Sequence, residues 1–147
     1  MPRVTLYWND GFQNEPAGRP GEAPLELDAT LGNLAFWQNK ASSMKIHVPC
    51  WVGLFSLVNL EGSQTWIEGT RDIPAFSQLF RAPRGIHFGP REQFNDECES
   101  VMITLDPAEY PPNPTKGKAW RAQSVVIYDL NTPFGVNSGK KGPWSNW

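Results

Sequence analysis

Gln38-Asn39-Lys40-Ala41-Ser42-Ser43 and Asn95-Asp96-Glu97-Cys98-Glu99-Ser100 start 57 residues apart and share a template: an amide or carboxylate pair, two intervening residues, a hydroxyl or carboxylate fifth, serine sixth. Each runs into an alternating segment, Met44-Lys45-Ile46-His47-Val48 and Val101-Met102-Ile103-Thr104, the period-two pattern of a half-buried strand. The chain therefore reads as internally duplicated. Oxygen-bearing side chains on a tight turn, followed by a hydroxyl or carboxylate, bring several hard oxygens within reach of one cation, the chemistry calcium requires. A repeated β-motif that binds calcium is the first functional expectation.

Outward from these stretches the same order of signals occurs twice. Val4-Thr5-Leu6-Tyr7-Trp8 reads as a strand ended by the turn formers Asn9-Asp10-Gly11, after which Phe12 restores apolar character. Pro16, Gly18, Pro20, Gly21 and Pro24 make residues 14–24 a loop. Leu25-Glu26-Leu27 is a short strand, and Leu31 to Trp37 is either one helical turn or an irregular connection. In the second half Cys50-Trp51-Val52-Gly53-Leu54-Phe55 is the strand, Val58 to Gly62 the turn and Gln64-Thr65-Trp66-Ile67 the return. Aligning Tyr7 with Phe55 also aligns Phe12 with Leu60. Four strand signals per unit, with a long connection before the last, describe a Greek key, and two such units bury their apolar faces by packing as a sandwich. Pro74, Pro83, Gly85, Gly89 and Pro90 make the connection from Asp72 to Phe94 a covering loop.

After Thr104 the pattern breaks. Asp106-Pro107 and Tyr110-Pro111-Pro112-Asn113-Pro114 form a stiff spacer. Ser124-Val125-Val126-Ile127-Tyr128 is a further strand candidate, and Trp120, Trp144 and Trp147 add aromatic surface. From residue 111 onward Lys116, Lys118, Arg121, Lys140 and Lys141 face only Asp129, a local basic excess. This extension either packs back on the sandwich or serves as an arm that holds a partner.

The 147 residues suit one domain, and 13 glycines with 14 prolines point to short strands and many turns, so the expected class is all-β. A net charge of -2 lacks the basic field of a nucleic-acid binder. No apolar run approaches the roughly 20 residues of a membrane helix, and Met1-Pro2-Arg3-Val4 opens no signal peptide. The expectation is a soluble protein, cytoplasmic or secreted. Cys50 and Cys98 match no zinc spacing and are either two thiols or one bridge.

On these residues the chain resembles the βγ-crystallin superfamily, in its microbial calcium-binding type, over residues 4–104. Trp51, Phe55, Asn59, Leu60 and Gly62 match the opening of that family's Greek key, and Asp72-Ile73-Pro74 precedes the closing segment as in microbial members. Tyr7, Phe12 and Ser42-Ser43 carry the match in the first unit, where Asn14 stands at the family's glycine. Gln38 replaces the template's first Asn or Asp, and Glu99 replaces its hydroxyl residue. The resemblance implies a β-sandwich of two Greek keys, about 4–49 and about 50–104, within a domain spanning 1–104, with residues 105–147 as a spacer and extension packed on it. It also implies up to two calcium ions of modest affinity between the units. One would take the carbonyls of Trp8 and Lys40, the Ser42 hydroxyl and the Asp96 carboxylate. The other would take the carbonyls of Ser56 and Glu97, the Glu99 side chain and the Asn39 amide oxygen.

Enzymatic readings find little support. His47 and His87 lack metal spacing, Cys98 has no base fixed beside it, and Gly85-Ile86-His87-Phe88-Gly89 is no phosphate loop. Asp72, Glu92, Glu97 and Glu99 could supply a carboxylate pair for a hydrolase, but nothing in the sequence sets their separation. The expected role is binding or structural, without catalysis. The alternative is a crystallin-fold toxin or inhibitor that binds another protein or a glycan through its Trp-rich and basic C-terminal surface.

Overall fold

A computed structural model describes residues 2–79, 98–105, 125–128 and 130–134. Its strands are β1 (Val4–Tyr7), β2 (Leu25–Leu27), β3 (Ser43–Ile46), β4 (Trp51–Leu57), β5 (Glu61–Glu68), β6 (Asp72–Ile73), β7 (Ser100–Thr104) and β8 (Val125–Tyr128), with 3-10 turns at Ala35–Trp37 and Phe76–Gln78. They form two four-stranded sheets, ordered β2-β1-β3-β6 and β7-β4-β5-β8. The period-two alternation decides which faces meet. Val4, Leu6, Met44 and Ile46 of the first sheet share one core with Val52, Leu54, Ile67, Val101 and Ile103 of the second. The architecture is an all-β sandwich of two Greek keys.

The halves interlock by exchanging one segment each. β6, from the second half, pairs with β3 of the first sheet (Met44↔Ile73, Lys45↔Asp72). Leu31, from the first half, bridges Val101 on β7, with backbone bonds of 2.9 and 3.0 Å. The start of the connection at Asp72 is thus a crossing strand rather than a covering loop. Two alternating residues beside a proline are too few to register as a period. The rest of the expected covering segment, from residue 80, lies outside the described residues.

The duplication extends to individual hydrogen bonds. In the first corner Gly11 and Phe12 adopt φ 68° and 62°, and in the second Asn59 and Leu60 adopt 60° and 58°, the paired left-handed residues of a type I′ turn. For a residue with a Cβ this conformation costs roughly 1–2 kcal/mol, and both corners carry the same two compensations. Phe12 packs edge-on against Tyr7 at 5.7 Å, and Leu60 packs against Phe55 and Trp66. The last serine of each template ties its own corner. Ser43 Oγ donates to the Asn9 carbonyl (2.6 Å) and accepts from the Phe12 amide (3.0 Å), while Ser100 Oγ donates to Leu57 (2.6 Å) and accepts from Leu60 (3.1 Å). The first corner closes in this way although Asn14 stands where the family carries glycine.

On the outer face of the second sheet Phe55 and Trp66 form a separate apolar cluster with Trp51, Leu60 and Met102. Trp66 is wholly buried, whereas Trp8 and Trp51 are half-buried. β8 joins this sheet in parallel with β5 (Gln64↔Val125 through Ile67↔Tyr128). A parallel neighbour needs a crossover of a dozen or more residues, and 56 residues, 69–124, separate β5 from β8 in the chain. Among the described residues no helix is long and apolar enough to cross a membrane.

Candidate metal centre

The two templates meet. The Asn39 amide donates to the Cys98 carbonyl (2.9 Å), and its side-chain Nδ2 donates to Glu99 Oε2 (3.4 Å). Asn39 holds φ 60°, a left-handed conformation that asparagine tolerates better than most residues. Its turn thereby presents both its backbone amide and its side chain to the opposite half.

The fifth template residue is held at both ends of its peptide unit, identically in each half. The Ser42 amide donates to Tyr7 (2.9 Å) and the Glu99 amide to Phe55 (2.9 Å), so each residue is clamped to the first strand of its own half. Their carbonyls accept from the opposite half's 3-10 segment, Ser42 from Phe76 (2.7 Å) and Glu99 from Leu34 (3.0 Å). With the backbone thus fixed, the Ser42 side chain stands in one cleft with Trp8, the residue after Tyr7, and Glu99 is bonded to Phe55, the residue before Ser56.

Of the first expected ligand set, Trp8, Lys40 and Ser42 line one open cleft of about 340 Å³, together with Asn9 and Asn39. Ser42 Oγ donates weakly to the Lys40 carbonyl at 3.4 Å. The Lys40 ammonium lies 5.9 Å from the centroid of the Trp8 ring, which places a positive charge at the rim. Of the second set, Asn39 and Glu99 come together through their 3.4 Å hydrogen bond, and Ser56 follows Phe55, whose carbonyl accepts from the Glu99 amide. Asp96 and Glu97 lie outside the described residues, as do His87 and Glu92. Sequence reasoning missed Asn9 in the cleft and the corner-tying role of Ser43 and Ser100. Serine at the sixth position of both templates was the available signal.

The donor set suits a hard cation. Backbone carbonyls, a hydroxyl, an amide and a carboxylate are oxygen ligands of the kind calcium takes, whereas a softer metal prefers sulfur or imidazole. Among the described residues no group of three or more His, Cys, Asp and Glu assembles. For Asn39 to offer oxygen, its amide must turn from the orientation in which Nδ2 meets Glu99, an exchange of nearly isosteric groups. Asp72 is exposed on β6, and His47 Nε2 shares a 2.8 Å hydrogen bond with Thr5 Oγ1 across β1 and β3.

Cys98 lies beneath this turn, fully buried, its thiol donating to the Ser100 carbonyl at 3.4 Å. Burial pushes its pKa up to about 12, and the nearby Glu99 carboxylate adds to the rise. Burial also raises Cys50, against a lowering by Arg3, and the two cysteines are separate thiols. A thiol that stays protonated is a poor nucleophile. At pH 8 a disulfide reagent is expected to leave Cys98 unmodified in the native protein and to titrate both thiols in denaturant. The neutral Cys98 contributes stability fully below the ordinary thiol value of 9.0, and that contribution is lost as pH rises toward about 12. Denaturation midpoints measured across that window check the sign.

No family model matches the chain, and no curated protein matches it significantly. Solved structures do match. A domain from work on the evolution of the eye-lens βγ-crystallin domain fold superposes with a TM-score of 0.51 at 14% identity, covering 70% of this chain and 85% of that one. A βγ-crystallin from Ciona intestinalis is 18% identical (67% and 95% coverage, TM-score 0.46), and a βγ-crystallin domain from Flavobacterium johnsoniae is 15% identical (71% and 96%, TM-score 0.47). The exchanged segments, the two Greek keys and the eye-lens-type neighbour define the fold as that of the βγ-crystallin superfamily. At these identities the likeness is one of fold.

Proposed function

We propose that this chain is a calcium-binding βγ-crystallin-type protein with a structural or binding role and no catalysis. The observation that carries the reading is the abutment of the two templates, in which Asn39 of one half bonds Cys98 and Glu99 of the other. Trp8, Lys40 and Ser42 would hold one ion with Asp96. Ser56, Asn39 and Glu99 would hold the second with Glu97. Each ion would have one formal negative charge among its ligands, and Lys40 adds a positive charge near the first. Low charge count makes for modest affinity.

An ion that binds only the folded chain stabilises it by mass action, about 2.7 kcal/mol per site at roughly a hundredfold excess over Kd. Thermal melts in calcium and in chelator test this. The melting temperature is expected to rise with calcium, and Asp96→Ala and Glu99→Ala are each expected to shrink the rise. A melting temperature indifferent to both additives, with no heat of binding, rejects the reading.

A further inference from the structure

We infer that the outer edge of β5, with Glu68 and Arg71 beyond it, is a strand-accepting site and that residues 125–134 are its separable occupant. Main-chain pairing runs in parallel from Gln64↔Val125 to Ile67↔Tyr128. Past the ladder the domain reads every second residue of the segment. Tyr128 is wholly buried in the common core. The Leu130 amide donates to Glu68 Oε1 at 3.0 Å. The Thr132 carbonyl accepts from Arg71 Nη2 at 3.1 Å. Phe134 lies edge-on to Tyr128 at 5.8 Å, with the Arg71 guanidinium 4.2 Å from its ring centroid.

The recognised chemistry is an extended segment with an aromatic side chain, then a main-chain donor two residues on, a main-chain acceptor four on and a second aromatic six on. Ladder bonds supply affinity and the alternate side chains supply specificity, as in strand addition to a sheet edge. The Glu68–Leu130 and Arg71–Thr132 bonds join residues 62 and 61 positions apart. Neither bond depends on the covalent link between Leu105 and Val125. The segment is held as a bound peptide is held, and it covers an edge that would otherwise invite pairing with another chain. This inference is independent of the calcium reading.

A full-length variant carrying a protease site between residues 112 and 118 is folded, cleaved and passed over a sizing column. A fluorescein-labelled synthetic peptide of residues 123–136 is then added in excess. The C-terminal fragment is expected to co-elute with the remainder and to be replaced by the peptide over time. A peptide with Tyr128→Ala is expected to compete roughly a hundredfold less well. Arg71→Ala in the cleaved protein should weaken capture about tenfold, through loss of the carbonyl bond and the ring contact. Because the tyrosine change is made in the peptide, the domain's own folding is untouched. Two results overturn the inference: a fragment that departs at once with the melting temperature unchanged, or a fragment that never exchanges short of global unfolding.

Discussion

Trp66→Ala is expected to lower the free energy of unfolding by about 3–5 kcal/mol, the range for truncating a buried large aromatic. Trp66 is wholly buried, meets Phe55 edge-on at 6.0 Å and covers Gly53 of β4. A Cβ at Gly53 would stand 2.7 Å from the Trp66 ring, closer than atoms of a packed interior approach. Gly53→Ala is therefore expected to destabilise the native protein and to do so much less in the Trp66→Ala background, where the ring is gone. Urea denaturation of the two single variants and the double variant measures this coupling. Equal effects of Gly53→Ala in both backgrounds would show that the ring does not set the need for glycine.

The second large effect concerns the corner ties. Ser43→Ala and Ser100→Ala each remove a hydroxyl that satisfies one backbone amide and one backbone carbonyl. Each is expected to cost about 1–3 kcal/mol, the penalty for leaving part-buried polar groups unmet. The ties hold separate corners in separate sheets, so the double variant is expected to lose close to the sum, about 2–6 kcal/mol. Two matched single losses are the stability signature of the duplication. A neutral result at either serine would mean that the two corners are held differently.

Most of the strand framework was legible because it rests on period-two alternation and turn chemistry. Leu25–Leu27 occurs where expected, and β1, β3, β4 and β7 depart from their sequence-based bounds by one or two residues at an end, where local signals are weakest; β5 is longer than the expected Gln64–Ile67 and begins at Glu61, inside the expected turn. The crossing elements were not legible. Leu31 takes part through a single bridge and β6 through two residues, and neither length shows a period. Their equivalence emerges only in three dimensions. The offset between matching residues is 48 in the corners (Phe12 and Leu60), 42 in the crossing segments (Leu31 and Ile73) and 57 in the closing strands (Ser43 and Ser100). Loops of unequal length in the two halves hide the repeat from any fixed spacing.

The candidate site divides in the same way. Local patterning marked the two oxygen-rich turns at 38–43 and 95–100, whereas Trp8, Lys40 and Ser42, and likewise Asn39, Ser56 and Glu99, were expected as ligands only through the resemblance to βγ-crystallins. Sequence alone could not show that Asn39 touches the opposite template, because that contact spans 60 positions. Nor could it show that Phe76 and Leu34 clamp the fifth residues, since those bonds run between halves.

Calcium binding as proposed would share each cation between the halves. Calorimetric calcium affinities in double-mutant cycles test it directly. Ser42→Ala with Asp96→Ala, and Asn39→Ala with Glu99→Ala, pair residues of opposite halves around one ion. Both pairs are expected to couple by more than about 0.5 kcal/mol, whereas Asn39→Ala with Ser42→Ala, from one half but different ions, should add. Strong coupling within a half together with additivity between halves, or no calcium binding in the parent protein, would contradict it.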